Sequence, residues 1–299
     1  MQYNTLADSS FIQRQFAQKT GYKCDLQNPR TFNEKIQYFK LNNRDPIFTD
    51  LADKLVVRDF VRAKCPELSL PRVFEVFEDA FDIEPRHLQI NDGKIVVKTN
   101  HMSGSNMLPH ELEDMDLRQL QNHYAFLLDL NFYHLLRESH YSSIRRRIFI
   151  EEFLGGGNDL APDDYKIHCF HGVPDTIQHD VGRFSEHQRC FYSIDWKLVD
   201  LDFLDEGHAK QKTNKVASPP PKLLSKMLEY SRKLSAGFSF VRVDFYIVND
   251  EIFFGELTFT PGGGFDAFEP GEIDLAWGEK MLGPSITYEP DEIGQQSRS

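Results

Sequence analysis

The stretch FVRVDFYIVNDEIFFGELTF, residues 240–259, alternates in character on both sides of Asn249 and Asp250. A period of two on either side of such a pair argues for two strands joined by a turn. In the first strand Arg242, Asp244 and Tyr246 fall on one face, with Val241, Val243, Phe245 and Ile247 on the other. In the second, Phe254, Glu256 and Thr258 share a face. Register depends on the turn. A two-residue loop would put Asp244 and Glu256 on opposite sides of the ribbon. A three-residue loop at Asn249, Asp250 and Glu251 sets Asp244 across from Glu256 and Arg242 across from Thr258.

Two carboxylates facing each other repel unless a cation or a shared proton separates them. A hard divalent ion is the simplest relief, and magnesium suits a site with few protein ligands because it shares its octahedron with water and nucleotide phosphates. Arg242 could then balance charge on a transferred phosphoryl group. The same pattern also fits a plain polar hairpin face in which Asp244 pairs with Arg242 or with solvent. The hairpin alone leaves both readings open.

Other segments bear on the choice. KIVVKTNHMSGSN, residues 94–106, ends an apolar strand in Lys98 and continues into a loop of small residues, Ser103, Gly104, Ser105 and Asn106. Such loops let backbone N–H groups approach phosphate oxygens, although an ordinary turn has the same composition. Lys54 in LADKLVVRDFV, Lys166 in DYKIHCF and Arg183 in HDVGRF each read on their own as surface charge. The strand IFIEEFL, residues 148–154, runs into Gly155, Gly156 and Gly157, a joint suited to connecting two lobes.

At 299 residues the chain exceeds one minimal domain. The pattern divides it into a helical segment over 1–66, a smaller sheet-containing lobe over 67–150 and a larger lobe over 151–299. A single long amphipathic helix is expected between Asp114 and Glu138, where apolar residues recur at three- and four-residue spacing. Asp8 and Ser9 suit a helix cap, and a further helix is expected from about Lys222 to Ser235. With 40% hydrophobic and 27% charged residues the chain is neither a polyelectrolyte nor a membrane protein. A net charge of −12 argues against sequence-independent nucleic-acid binding, which needs a basic surface. Cys24, Cys65, Cys169 and Cys190 show no ligand or disulfide spacing. The first residues lack a signal pattern, and no apolar run reaches the roughly 18 residues that would cross a bilayer, so a cytoplasmic location is expected, with peripheral attachment to a membrane complex open.

Taken in order, Lys54, Lys98 with its loop, EEF at 151–153, RVD at 242–244 and ELTFTPGG at 256–263 resemble the ATP-grasp superfamily. RTFNEKIQYFK, ADKLVVRDFV, VVKTNHMSGSN, DYKIHCFHG, VRVDFY and FGELTFTPGGG resemble its TupA-like branch, over roughly residues 28 to 275. The resemblance implies an α+β fold whose two lobes grip ATP. It implies that Lys54 and Lys98 contact the nucleotide, with Lys166 and Arg183 also in the nucleotide-binding set. The Ser103–Asn106 loop would close over the phosphates, and adenine would lie against Glu151, Glu152 and Phe153. Asp244 and Glu256 match the family's magnesium-binding acids, and Arg242 matches the arginine facing an acyl phosphate. Thr258 stands where these ligases usually carry an asparagine ligand, which puts a second metal in question. Catalytic roles fall to Arg242, Lys98 and His101, the last as a base for the incoming amine.

The implied reaction is carboxylate–amine ligation through an acyl phosphate, joining an amino acid to a uronic acid or another acid in cell-surface polysaccharide synthesis, in association with a glycan-assembly complex. An ATP-grasp kinase acting on a sugar hydroxyl and a nucleotide-binding scaffold without turnover are the alternatives.

Overall fold

A computed structural model of the chain describes residues 5–155, 162–182, 188–204 and 217–290. Arg183 lies outside them. Four helices come first: α1 (Thr5–Thr20), α2 (Phe32–Asn42), α3 (Pro46–Ala52) and α4 (Val57–Lys64). Asp8 lies inside α1 rather than capping it, and its carboxylate pairs with Arg137. The start of α2 is fixed by reciprocal bonds: the Thr31 hydroxyl accepts from the Glu34 backbone N–H at 3.2 Å, and the Glu34 carboxylate accepts from the Thr31 N–H at 3.1 Å.

The smaller lobe is a three-stranded antiparallel sheet of β1 (Val73–Phe77), β2 (Ile95–Thr99) and β3 (Ile148–Glu152), with β3 central. Between β2 and β3 run α5 (Pro109–Glu113), α6 (Leu117–Asp129) and α7 (Tyr133–Leu136). The single long helix expected over 114–138 is therefore broken. Leu130 is extended, and the Asn131 side chain accepts from the Tyr133 backbone N–H at 3.2 Å, a local bond that competes with helix continuation.

The larger lobe carries β4 (Asp164–Phe170), β5 (Val173–Val181), β6 (Gln188–Ser193), β7 (Leu198–Val199), β8 (Asp202–Leu204), α8 (Leu224–Ser235), β9 (Phe240–Val248), β10 (Glu251–Thr258), β11 (Ala267–Glu269) and α9 (Glu272–Lys280). Its main sheet has the order β10-β9-β4-β5-β6-β7, and β11 pairs with β8. Alternation sends Val241, Val243, Phe245, Ile167 and Ile177 into the core, while Arg242, Asp244, Lys166 and Gln178 occupy the opposite face.

Two boundaries differ from the sequence reading. The division at residue 151 falls within β3, which pairs with both β1 and β2, so the smaller lobe's sheet continues to Glu152. The N-terminal helices share the larger lobe's core: Phe32 meets Phe240 at 4.7 Å and Trp277 at 5.3 Å between ring centroids, and Phe39, Phe48 and Val61 belong to the same cluster.

The hairpin turn also differs. Val248 pairs with Glu251, so the loop has two residues, Asn249 and Asp250, both with φ near +55° (52° and 58°). That register alone would separate Asp244 from Glu256. A bulge restores the alignment: Phe254 faces Phe245 but Leu257 faces Val243, leaving Gly255 and Glu256 both opposite Asp244. A Cβ on Gly255 would lie 3.0 Å from the Asp244 carbonyl oxygen, so a side chain there would press against the neighbouring strand.

Gly255→Val should therefore lower stability by about 1–3 kcal/mol, read as a reduced urea midpoint with unchanged slope. Phe32→Ala, which empties the centre of the aromatic cluster, should cost about 3–5 kcal/mol in the same measurement.

Candidate functional site

The polar face of the larger sheet and the underside of the smaller lobe enclose three contiguous compartments. The first holds about 550 Å³ of space between Val96, Leu108, Phe153, Leu154 and Tyr246. The second, about 850 Å³, has charged walls that include Lys54, Lys98, Lys166, Arg242, Asp244 and Glu256. The third, about 1080 Å³, extends toward Thr258, Gly262 and Trp277. Lys98 and Glu151 line the first and second, and Ser103, Lys166, Arg242 and Glu256 line the second and third, so one continuous cleft results.

Arg242 organises the second compartment. Its Nε and Nη2 donate to Asp244 Oδ1 and Oδ2 at 2.7 and 2.6 Å, and Nη2 also donates to Glu256 Oε1 at 2.9 Å and Thr258 Oγ1 at 3.0 Å. The Thr258 hydroxyl donates to Glu256 Oε1 at 2.7 Å. Because one nitrogen touches both carboxylates, their oxygens cannot be further apart than those two bonds laid end to end. Burial pushes Asp244 up to about 6, against the pull of the Arg242 guanidinium. For Glu256 burial acts upward too, but Arg242, Lys54 and the Thr258 hydroxyl outweigh it and hold the group below the usual range. Glu256 keeps 40% side-chain exposure, against 4% for Asp244, so it is the acid open to the cleft.

The donor set of two converging carboxylates and a hydroxyl, all oxygen, with a cation already between the acids, is the kind that a hard divalent ion takes. Among the described residues no group of three or more His, Cys, Asp or Glu could hold a metal, so an ion here would draw the remainder of its shell from water or ligand.

Lys54, Lys98 and Lys166 all line the charged compartment. Lys54 Nζ donates to the Met102 carbonyl at 2.6 Å, pinning the loop after β2; burial pulls its pKa down, and Glu256 opposes that pull. Lys98 pairs with Glu151, whose other oxygen accepts from Arg58 Nη1 at 3.2 Å. Glu151 thus stands at the boundary of the charged and apolar compartments, and all three residues expected around adenine, Glu151, Glu152 and Phe153, line the first compartment. Lys166, across from Asp244 in the β4–β9 register, bonds to Asp180. Burial would raise Asp180, but Arg189 and Lys166 hold it well below ordinary carboxylates.

Ser103, Gly104 and Asn106 face the charged compartment. Ser105 does not: its hydroxyl accepts from the Thr99 N–H and bonds to the Thr99 hydroxyl, at 3.0 and 2.8 Å, bracing the base of the loop. His101 is likewise turned away, 1% exposed, with Nε2 donating to the Leu127 carbonyl at 3.2 Å; burial pulls it down to about 4. A ring so placed cannot meet an incoming amine, and the expected base is absent from this position.

Sequence reasoning missed Arg58 and Asp164, which line the charged compartment beside Tyr246, and Gln178, Arg189 and Asp266, which line the third. Arg58 lies on α4, whereas Lys54, read from the sequence as helical, lies in the turn between α3 and α4, so their spacing in sequence gave no signal. The others are single polar residues on strands or loops, placed only by the register.

The TupA-like ATPgrasp family matches residues 34–282 of the chain. No curated protein matches it. Among solved structures it is similar to D-alanine–D-alanine ligase from Bacillus anthracis complexed with ATP, at 14% identity and TM-score 0.41, over 78% of this chain and 62% of that one. It is similar also to the ATP-grasp ligase PsnB complexed with a minimal precursor (12%, TM-score 0.37, 71% and 54%). A third is the macrocyclase MdnC from Microcystis aeruginosa MRC bound with precursor peptide MdnA (12%, TM-score 0.39, 80% and 64%). The chain spans less than two thirds of the length of each. With one family covering residues 34–282 and the fold built around the residues that carried the resemblance, the chain belongs to the TupA-like ATP-grasp family.

Proposed function

We propose that the chain is an ATP-dependent ligase that phosphorylates a carboxylate and passes the activated acyl group to an amine. One observation carries the reading: Arg242, Glu256, Lys166 and Ser103 belong both to the charged compartment and to the large third cavity. A phosphoryl group bound in the one and an acceptor bound in the other would meet at the same side chains. The apolar first compartment, walled by Val96, Leu108 and Phe153, suits a purine base. Asp244, Glu256 and the Thr258 hydroxyl would hold magnesium, which supplies charge compensation for the nucleotide phosphates when bound.

The chain's own groups have definable tasks. Lys54 and Lys98 place positive charge beside the phosphates, and backbone N–H groups at Ser103 and Gly104 add neutral donors. Arg242, already saturated with acid contacts, becomes free to face the transferred phosphoryl group when another cation shares Asp244 and Glu256. Lys166, on the adjacent strand, offsets charge from the acceptor side. The cleft between two lobes is where closure would exclude water from an acyl phosphate. The finer substrate assignment, an amino acid joined to a uronic acid or another acid of a surface polymer, rests on family resemblance.

The direct test incubates the protein with Mg-ATP and paired panels of uronic acids and amino acids, following ADP release and product mass. Ligation gives ADP, phosphate and a product heavier by the amine less water; a phosphorylated sugar, or no ADP from any pair, would refute it. Asp244→Asn should cut ADP release about 100-fold or more with a folded far-UV spectrum retained; turnover at the parental rate would remove Asp244 from the metal site. Lys98→Met should weaken Mg-AMPPNP binding about 10- to 100-fold in calorimetry, the worth of one charge-assisted hydrogen bond.

A further inference from the structure

The third cavity holds an opposed pair of charges that the proposed phosphoryl transfer does not use. On its floor, Lys166 and Arg242 are engaged with Asp180 and with the Asp244–Glu256 pair. Arg189, on β6, gives only Nε to Asp180, at 2.8 Å; its two Nη groups have no hydrogen-bond partner among the described residues, and its side chain is 29% exposed. On the facing loop stands Asp266. Its carboxylate has neither a hydrogen bond nor an ion pair among the described residues, although burial raises its pKa and Arg189 is the cation that opposes the rise most. Both charges line the third cavity, and neither bonds the other.

The loop is built to keep that carboxylate where it is. Asn33 Nδ2 donates to the Asp266 backbone carbonyl at 2.7 Å. Gly262 has φ +58°, and a Cβ there would lie 2.0 Å from Asp266 Oδ2, so the carboxylate occupies space that any other residue at 262 would fill. On the same wall Asn33 Oδ1 is buried without a partner. An acid on a cavity wall, held by its loop without a counter-ion, marks a position where a ligand can supply the missing partner.

We propose that Asp266 and Arg189 are the two poles of the amine co-substrate's subsite, and that this co-substrate is a zwitterion of the α-amino acid type. Its ammonium seats on Asp266 and its carboxylate on the Nη groups of Arg189. Asp266 repels a purely anionic ligand, and Arg189 gives no hold to a simple amine, so together they select a molecule carrying both charges. Arg242 and Glu256 line the same cavity, which puts the ammonium nitrogen in the space that an activated acyl group would enter. The assignment rests on the ligase reading above and names which residues choose the amine.

The test uses the full chain saturated with Mg-AMPPNP and titrated calorimetrically with the free proteinogenic amino acids, their N-acetyl derivatives, and amines lacking the carboxylate. At least one free amino acid should bind, and acetylation or loss of the carboxylate should each weaken it about tenfold or more, as expected for loss of one charged contact. Asp266→Asn should cause the same loss while Mg-AMPPNP affinity stays within about twofold, the split that separates a ligand contact from a general structural defect. Gly262→Ala, which pushes a methyl group into the carboxylate's place, should reproduce it by an independent route. Binding of N-acetyl derivatives as tightly as free amino acids, parental affinity in Asp266→Asn, or no amino-acid binding up to about 10 mM beside intact nucleotide binding would each overturn the two-pole assignment and leave the ligase reading standing. Absence of Mg-AMPPNP binding would instead remove the ligase reading, and this assignment with it.

Discussion

Two carboxylates on one β-ribbon have to share a counter-charge, and the construction of the cleft follows from that constraint. Asp244 and Glu256 come together because one extra residue is inserted into β10, and that residue is Gly255. Once the acids converge in a partly desolvated place, neither can stay ionised without a cation in contact. Arg242 fills the role with a two-pronged grip on Asp244 and a third bond to Glu256. Lys166 and Lys54 supply further positive potential around the same two acids. The arrangement is a cluster in which each acid has a cation in contact or close by.

Balance of charge also explains why the cleft is graded from end to end. The first compartment is walled by the aliphatic and aromatic side chains of Val96, Leu108 and Phe153. The second is ringed by alternating acids and bases, with Glu151 between Lys98 and Arg58 on one side and Arg242 between Asp244 and Glu256 on the other. The third mixes aromatic rings with separated charges. An apolar end, a charged middle and a mixed far end are the sequence of surroundings that the proposed reading, a nucleotide and an acceptor laid in line, requires.

Much of this was legible in the amino acids. The alternation in FVRVDFYIV and EIFFGELTF assigned Arg242 and Asp244 to one face, and the order of Lys54, Lys98, the EEF strand and the final ribbon carried the family. The facing of Asp244 and Glu256 was anticipated for a different reason from the one observed: a two-residue turn plus a bulge produces the alignment that a three-residue turn would have given. Alternation cannot reveal a bulge, because the inserted residue simply shifts which side chain pairs with which. His101 and Ser105 lie in the phosphate-loop segment yet face inward, since a loop has no fixed period and each side chain goes where a partner awaits it, Leu127 for one and Thr99 for the other. Asp266 and Arg189 carried no pattern at all. Their relation exists only across the folded cavity.

The far wall of that cavity is held by a lysine. Lys35 Nζ donates to the carbonyls of Gly278 and Met281, both at 2.6 Å, clasping the carboxyl end of α9, and Gly278 sits so close to α2 that a Cβ would lie 2.1 Å from the Arg30 carbonyl oxygen. Trp277 and Asn33, one from each helix, line the third compartment. The family match starts at Glu34, inside this junction and after the Thr31 cap. Anyone trimming the gene to the matched span would remove Thr31, Phe32 and Asn33, and with them part of the brace that shapes the third compartment; an expression fragment should begin upstream of Thr31.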